Sequence, residues 1–425
     1  MRKKIVFAVV FAILILAVAR LGFSENKKKK GSDQLYREVE LFAQTLAIIQ
    51  NDYAQETKIK DLIYGALGGI VGSLDAHSQF MDPATFEELK VDTEGKFGGL
   101  GIEITMRDGV LTVITPLEGT PAWKAGIKAN DHIVKIDDLL TREMTLTDAV
   151  KKLRGKPGEI VHLTILRDKE KKLLEFKITR GIIKITDIKY VRILEDGIGY
   201  LRLREFRENT FNELNNALSL LSKQGMRALI IDLRNNPGGL LEVAVKVTGK
   251  FLEPNKLIAY TKGRKPDKNM EFFSDAKNTI LDLPLVILIN EGSASGSEIV
   301  AGALQDYKRA VIIGQKSFGK GSVQTVIPLG DGSALRLTTS HYFTPSGKII
   351  QGKGILPDIL VATKENTANG NTDPDTDKTS EVLAMLQDEP QTNEPAQDDF
   401  DYKTDQQIMR AVDCFKVIVM YKQVK

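Results

Sequence analysis

The chain has 425 residues, 27% of them charged, and a net charge of +3. That length supports two or three domains with ample core, and so balanced a charge carries no nucleic-acid signal. A single cysteine, Cys414, excludes an intrachain disulfide and reads as a packed thiol.

At the N-terminus, Arg2-Lys3-Lys4 precedes an unbroken apolar stretch from Ile5 to Ala19, ended by Arg20. The stretch is short for a membrane span of about 20 residues and suits a signal-peptide core. Ala17-Val18-Ala19 offers a small-x-small cleavage site. Leu21-Gly22-Phe23 extends the stretch into a retained anchor if Arg20 snorkels. Residues 1–23 are therefore a signal peptide or a membrane anchor. Either one places the body of the protein outside the cytoplasmic membrane, in the periplasm or on the membrane's outer face.

Residues 24–90 comprise a Lys-rich linker and a helical segment. Leu62, Ile63, Ala66, Leu67, Ile70 and Val71 recur at helical steps. His77, in Leu74-Asp75-Ala76-His77-Ser78, is expected to cap or bridge helices rather than to catalyse.

In Phe97-Gly98-Gly99-Leu100-Gly101-Ile102-Glu103-Ile104, glycines let successive amides converge on an anion. The strand that follows offers an edge to an added peptide. Pro116 to Ala122, Ala125-Gly126-Ile127, Asp131 to Ile136 and a helix capped by Thr145 or Thr147 complete a pattern over residues 91–183 that resembles a PDZ domain. Asn130 and Asp138 stand where that pattern has glycine, and both tolerate the left-handed region. The resemblance implies that a terminal carboxylate sits at Gly98, Gly99, Leu100 and Gly101, with an apolar last residue beside Ile102 and Ile104. Arg154, at the end of the groove helix, is expected either to be exposed or to touch the domain that follows, residues 184–362, in one domain position.

Residues 184–362 alternate strands and helices. Ile198 to Leu203 and Ala228 to Leu233 read as strands, and Phe211 to Lys223 as an amphipathic helix. The second strand leads into Arg234-Asn235-Asn236-Pro237-Gly238-Gly239 and a helix. Leu285 to Asn290 is another strand, followed by the small-residue turn Glu291-Gly292-Ser293-Ala294-Ser295-Gly296-Ser297 and a helix start. A serine there gains from the helix dipole and from unpaired amides that can hold an oxyanion. Serine needs a base, and no histidine is near the turn in sequence. Lys320, in Lys316-Ser317-Phe318-Gly319-Lys320-Gly321-Ser322-Val323-Gln324, is the next candidate. His341 reads as structural.

These motifs resemble the carboxyl-terminal processing (tail-specific) proteases, serine peptidases with a Ser/Lys dyad. In that family the nucleophile is the middle serine, about 25 residues before the lysine. Ser295 stands 25 residues before Lys320, whereas Ser293 and Ser297 do not match. The resemblance implies an α/β core of the ClpP/crotonase type with an inserted PDZ domain and an N-terminal helical segment. It implies Ser295 as nucleophile, Lys320 as general base and Gln324 as the group orienting it. One amide of Gly238 or Gly239, with that of Gly296, would form the oxyanion hole. No cofactor or metal is implied. Substrates would be exported proteins with exposed C-terminal tails, and self-association or an adaptor protein is compatible with the pattern. A PDZ adaptor on an inactive scaffold is the rival, and the intact Ser295/Lys320/Gln324 set argues against it. An esterase would need a Gly-x-Ser-x-Gly elbow, which the serine turn does not give.

Residues 363–404 form an acidic linker, rich in Asp, Glu, Asn, Thr and Pro. A helical turn is expected within it at Val382 to Leu386. Residues 405–425 return to a helical pattern expected to pack on the core or on a second subunit.

Overall fold

The computed structural model describes residues 34–107, 109–167, 172–275, 279–362 and 400–424. The N-terminal apolar segment and the Val382–Leu386 turn lie outside the described residues. The chain divides into two units, residues up to 82 with 326–337, and the remainder.

In the first unit, helix α1 (residues 34–52) is followed by α2 (Ile59–Gly72) and strand β1 (Gln79–Met81). The Asp75 carboxylate ends the helical pattern, accepting from the amides of His77 and Ser78 and from the Ser78 hydroxyl, each at 2.8 Å. The capping group is thus Asp75, and His77 supplies only its backbone amide to the turn. Beyond it, β1 pairs antiparallel with Ala334–Arg336. Tyr64 packs edge-on against Phe80 at 4.9 Å and donates to Asp331 Oδ2 at 2.7 Å.

The second unit opens with α3 (Pro83–Glu94). Strand β2 (Lys96–Gly99) then carries the chain into a small sheet domain, and β9 (Gly181–Lys184), antiparallel to β2, brings it back. Between them lie β3 (Ile102–Arg107), β4 (Val110–Pro116), α4 (Pro121–Ala125), β5 (His132–Ile136), β6 (Leu139–Leu140), α5 (Leu146–Leu153), β7 (Ile160–Arg167) and β8 (Lys172–Thr179). The sheet order is β3-β4-β5-β7-β8, which leaves β3 at an edge beside α5. Apolar residues on alternate strand positions, among them Val113, Ile133, Val161, Leu163 and Ile165, close its core. Thr145 caps α5 in a reciprocal box with Asp148. The left-handed residues are Asn130 and Asp137, not Asp138. The Asp137 amide donates to His162 O and its carboxylate accepts from His162 N, and these bonds select it over its equally tolerant neighbour.

The next sheet is built on β10 (Ile188–Ile193), β11 (Ile198–Leu203), β12 (Ala228–Asp232), β15 (Leu285–Ile289), β16 (Val311–Gly314) and β19 (Ile359–Leu360), in that order. All pairs but β10–β11 are parallel. Such a sheet needs both faces covered. On one face Leu229, Ile231 and Ile287 meet α6 (Thr210–Lys223), α7 (Leu241–Gly249) and α8 (Gly296–Asp306). On the other, Ala228, Ile230, Val286 and Leu288 meet Ile408, Ala411, Val412 and Phe415 of the C-terminal helix α9 (Gln406–Val424). Phe400 extends this layer, stacked on Tyr190 and Tyr200 at 5.1 and 5.0 Å. The C-terminal segment therefore covers its own core. Cys414 packs partly buried at its edge, and burial raises the thiol pKa. Strand β13 (Leu257–Gly263) pairs with β14 (Glu271–Phe273) and with the Ser340–Phe343 end of β18 (Ala334–Phe343), while β17 (Ser322–Pro328) leads out of the lysine loop.

Candidate active site

The carboxyl ends of β11, β12 and β15 lie side by side, the usual place for a site in an open α/β sheet. Asparagines knit their loops together. Buried Asn236 donates through Nδ2 to Leu203 O at 2.9 Å, and its carbonyl accepts from the Ser297 hydroxyl and the Ala294 amide. Asn290 Oδ1 accepts the Asn235 amide, and Asn290 Nδ2 returns a bond to Asn235 Oδ1, both at 2.8 Å.

This bracing distinguishes the three serines. Ser293 and Ser297 are fully buried. Ser293 Oγ donates to Leu233 O at 2.8 Å and Ser297 Oγ to Asn236 O at 2.9 Å, so both hydroxyls hold the turn together. Ser295 alone of the three is open to solvent. Its φ of +51° and ψ of −108° lie outside the ordinary allowed regions. Such a conformation costs roughly 1–3 kcal/mol and persists only where its surroundings over-determine it. Gly238 is part of those surroundings. A Cβ there would stand 2.8 Å from Ser295 Cβ and 2.9 Å from Gly296 N, so only glycine lets the two turns meet.

The Gly238 amide donates to Asn236 Oδ1 at 2.9 Å, so it is not open to a substrate oxygen as one of the two sequence alternatives required. Gly239 and Gly296 have amides with no acceptor among the described residues.

Glu298 is the residue that sequence reasoning missed. It is fully buried, three residues after Ser295 in the first turn of α8. Its Oε2 accepts from the Ser295 amide at 2.8 Å and the Lys320 amide at 2.9 Å. Its Oε1 accepts from the Ser317 hydroxyl at 2.6 Å and the Gly319 amide at 2.7 Å. One carboxylate thus spans the serine turn and the lysine loop. Burial pushes its pKa up, and the four donors offset that only in part. A Ser-x-x-Glu pattern at a helix start was the available signal.

The lysine loop is also held from outside. Phe318 N donates to Ser293 O at 3.0 Å, and Gly321 N to Gln351 Oε1 at 2.9 Å. Lys320 is half-buried. Gln324 Nε2 donates to Ser322 Oγ at 2.8 Å, which ties the side-chain amide to its own strand.

Behind the β12 turn, Arg234 grips both oxygens of buried Asp232 and reaches across to the C-terminal segment. There it meets Asp405 Oδ2 at 2.8 Å and Gln407 Oε1 at 2.9 Å. Tyr200 donates to the same Asp232 at 2.8 Å.

The sheet domain presents a groove of about 560 Å³ between β3 and α5. Gly99, Leu100, Gly101, Ile102 and Ile104 line it, with Val150 and Leu153 opposite. Gly98 lies just outside. A Cβ on it would fall 2.0 Å from Gly155 O, whose chain closes on β2. Arg154 is half-buried, its guanidinium 4.5 Å over the Phe97 ring, so of the two placements expected from sequence the exposed one does not hold.

Comparison with known proteins agrees with this architecture. Residues 197–361 match the model of peptidase family S41, and residues 98–178 match a PDZ domain. A carboxy-terminal-processing protease of Bartonella bacilliformis is 43% identical over 85% of this chain and 83% of its own length. A carboxyl-terminal-processing protease of Picosynechococcus is 38% identical over 72% of this chain and 74% of its own length. Among solved structures, the photosystem II D1 C-terminal processing protease is 30% identical, with a TM-score of 0.44 over 76% of this chain and 92% of its own.

Proposed function

Since the chain belongs to the carboxy-terminal-processing proteases of peptidase family S41 and is a serine-type peptidase, we propose that Ser295 is its nucleophile and Lys320 its general base. The observation that carries this reading is the shared carboxylate oxygen. Glu298 Oε2 takes the amides of both residues, so their backbones stand two hydrogen bonds apart.

The chemistry is acyl transfer. Ser295 Oγ attacks the scissile carbonyl carbon, and neutral Lys320 Nζ takes the hydroxyl proton. The oxyanion is met by the amides of Gly239 and Gly296. Collapse expels the amine, which receives the proton from Lys320, and leaves an acyl-Ser295. Water, deprotonated by the same lysine, then releases the acid. Gln324 sits four residues beyond Lys320, and its amide can orient the amine without favouring the ammonium form.

The PDZ groove captures the C-terminal tail of a protein substrate, its carboxylate at the loop from Gly99 to Gly101 and its last side chain beside Ile102 and Ile104. The basic and apolar N-terminus supports export, so the substrates are exported proteins with loose tails. An activity-based fluorophosphonate tests the core of this reading. It is expected to label the parent and to leave Ser295→Ala unlabelled. Equal labelling of that variant would remove Ser295 as nucleophile.

A further inference from the structure

The groove is not made by the PDZ domain alone. Its lining includes, besides Gly99, Leu100 and Gly101 of the glycine loop, Arg204, an exposed residue of the catalytic core just past β11. Arg154 and Glu103 are the other charged residues on that lining. A terminal carboxylate is the negative group that a PDZ groove would have to accept, and guanidinium is the side chain that pairs with carboxylate in two parallel bonds.

Arg204 is held where it stands. Its amide donates to Asp187 O at 2.8 Å, and Phe206, two residues on, is fully buried with its amide on Gly238 O at 2.8 Å. Arg207 then turns back onto the stem of the PDZ insertion. It donates to Asp92 O at 2.8 Å and pairs with Asp187 and Glu205. Glu208 N adds a bond to Thr93 O. The strip from 204 to 208 is thus tied to the core sheet at one end and to the PDZ stem at the other.

We propose that Arg204 completes the carboxylate site, so that the free C-terminus of a peptide in the groove is held jointly by the PDZ glycine loop and a guanidinium of the catalytic core. The inference rests on the reading of the groove as a receptor for C-termini. Arg154 is the rival cation. Its guanidinium lies 4.5 Å over the Phe97 ring.

The test uses full-length protein carrying Ser295→Ala, so that nothing is cleaved. A short fluorescent peptide ending in alanine and its C-terminally amidated twin are titrated by anisotropy. The parent is expected to prefer the free acid by about tenfold, the scale of one partly exposed charge-assisted contact. Arg204→Ala should weaken the acid by about that factor and leave the amide unchanged, so the preference disappears. Arg204→Lys should keep part of it, and Arg154→Ala most of it. An unchanged preference in Arg204→Ala, with an unchanged melting curve, overturns the inference while the C-terminus reading stands. Loss of the preference in Arg154→Ala alone overturns it in favour of the rival cation. No preference in the parent removes the reading itself and the inference with it.

Discussion

Glu298→Gln is the sharpest perturbation of the catalytic framework, because it keeps shape and removes only acceptors. The carboxylate receives four donors, two on each oxygen. A glutamine has one oxygen, so its NH2 must face either the Ser317/Gly319 pair or the Ser295/Lys320 pair. In the better orientation the Ser317 hydroxyl rotates to accept and the buried Gly319 amide is stranded. That costs about 1–3 kcal/mol of stability. In the worse one the amides of Ser295 and Lys320 are both stranded. Either way the serine turn and the lysine loop lose part of their common anchor, and a shift of about 1 Å between reacting groups is worth about a hundredfold in rate. The assay pairs urea unfolding with turnover of a short fluorogenic peptide. The expected result is a fall in kcat with KM little changed, since Glu298 touches no substrate. The pH dependence has a definite sign. Burial raises the folded-state pKa of Glu298 above its ordinary value of 4.5. Its titration therefore contributes stability that is fully present below that ordinary value and is lost as pH rises through the raised one. Glutamine has no such contribution, so the variant's deficit should widen as pH falls from neutral towards 4.5. A Glu298→Gln enzyme with parental kcat and parental urea midpoint would refute the anchoring argument.

The other expected outcomes follow from the same geometry. Ser293→Ala and Ser297→Ala should still take a fluorophosphonate label but melt earlier: the first strands the buried Asn290 amide, at about 1–3 kcal/mol, and the second removes one of two donors on Asn236 O, at about 0.5–1.5 kcal/mol; loss of labelling in a folded Ser297→Ala would move the nucleophile. Lys320→Ala should abolish turnover while leaving the fold intact. In the parent, the rate should climb from neutral towards alkaline pH, because only neutral lysine accepts a proton and an ordinary lysine titrates near 10.4, roughly; a flat profile from pH 5 to 9 would exclude lysine as base. Ile408→Ala empties a fully buried position under the sheet and should cost about 2–5 kcal/mol. It should also lower kcat by loosening Asp405 and Gln407 from Arg234, and unchanged turnover in the destabilised variant would mean that this clamp does not reach the active site.

Much of the core was legible because its strands are uninterrupted apolar runs ending in small-residue turns. Leu285–Ile289 followed by the serine turn is the plainest case, and the resemblance to the tail-specific proteases, through its serine-to-lysine spacing, pointed to Ser295, the half-buried serine of the three. Polar bracing was not legible. Asn235, Asn236 and Asn290 each read locally as turn residues, and what makes them a network is a partner on another strand end. The choice between Gly238 and Gly239 needed the Asn236 side chain, which takes one of the two amides. The left-handed residue near β5 fell on Asp137 because of a cross-strand contact to His162 that no local propensity contains. Arg234 looked like part of a turn motif, and nothing near it pointed to Asp405 beyond a long acidic stretch.

The pairing of Arg234 with Asp405 and Gln407 also bears on the order in which the enzyme is made. The serine turn and the lysine loop leave the ribosome well before residue 405, so a chain under synthesis holds every catalytic group while the far face of its sheet is bare and Arg234 lacks two of its partners. Competence on this view arrives with the last described segment, acting as a completion signal that a truncated product never receives. Fluorophosphonate labelling of chains stalled short of residue 400 gives the check: such chains should stay unlabelled while released full-length chains react, and labelling of the stalled form would show that the site matures without its C-terminal cover.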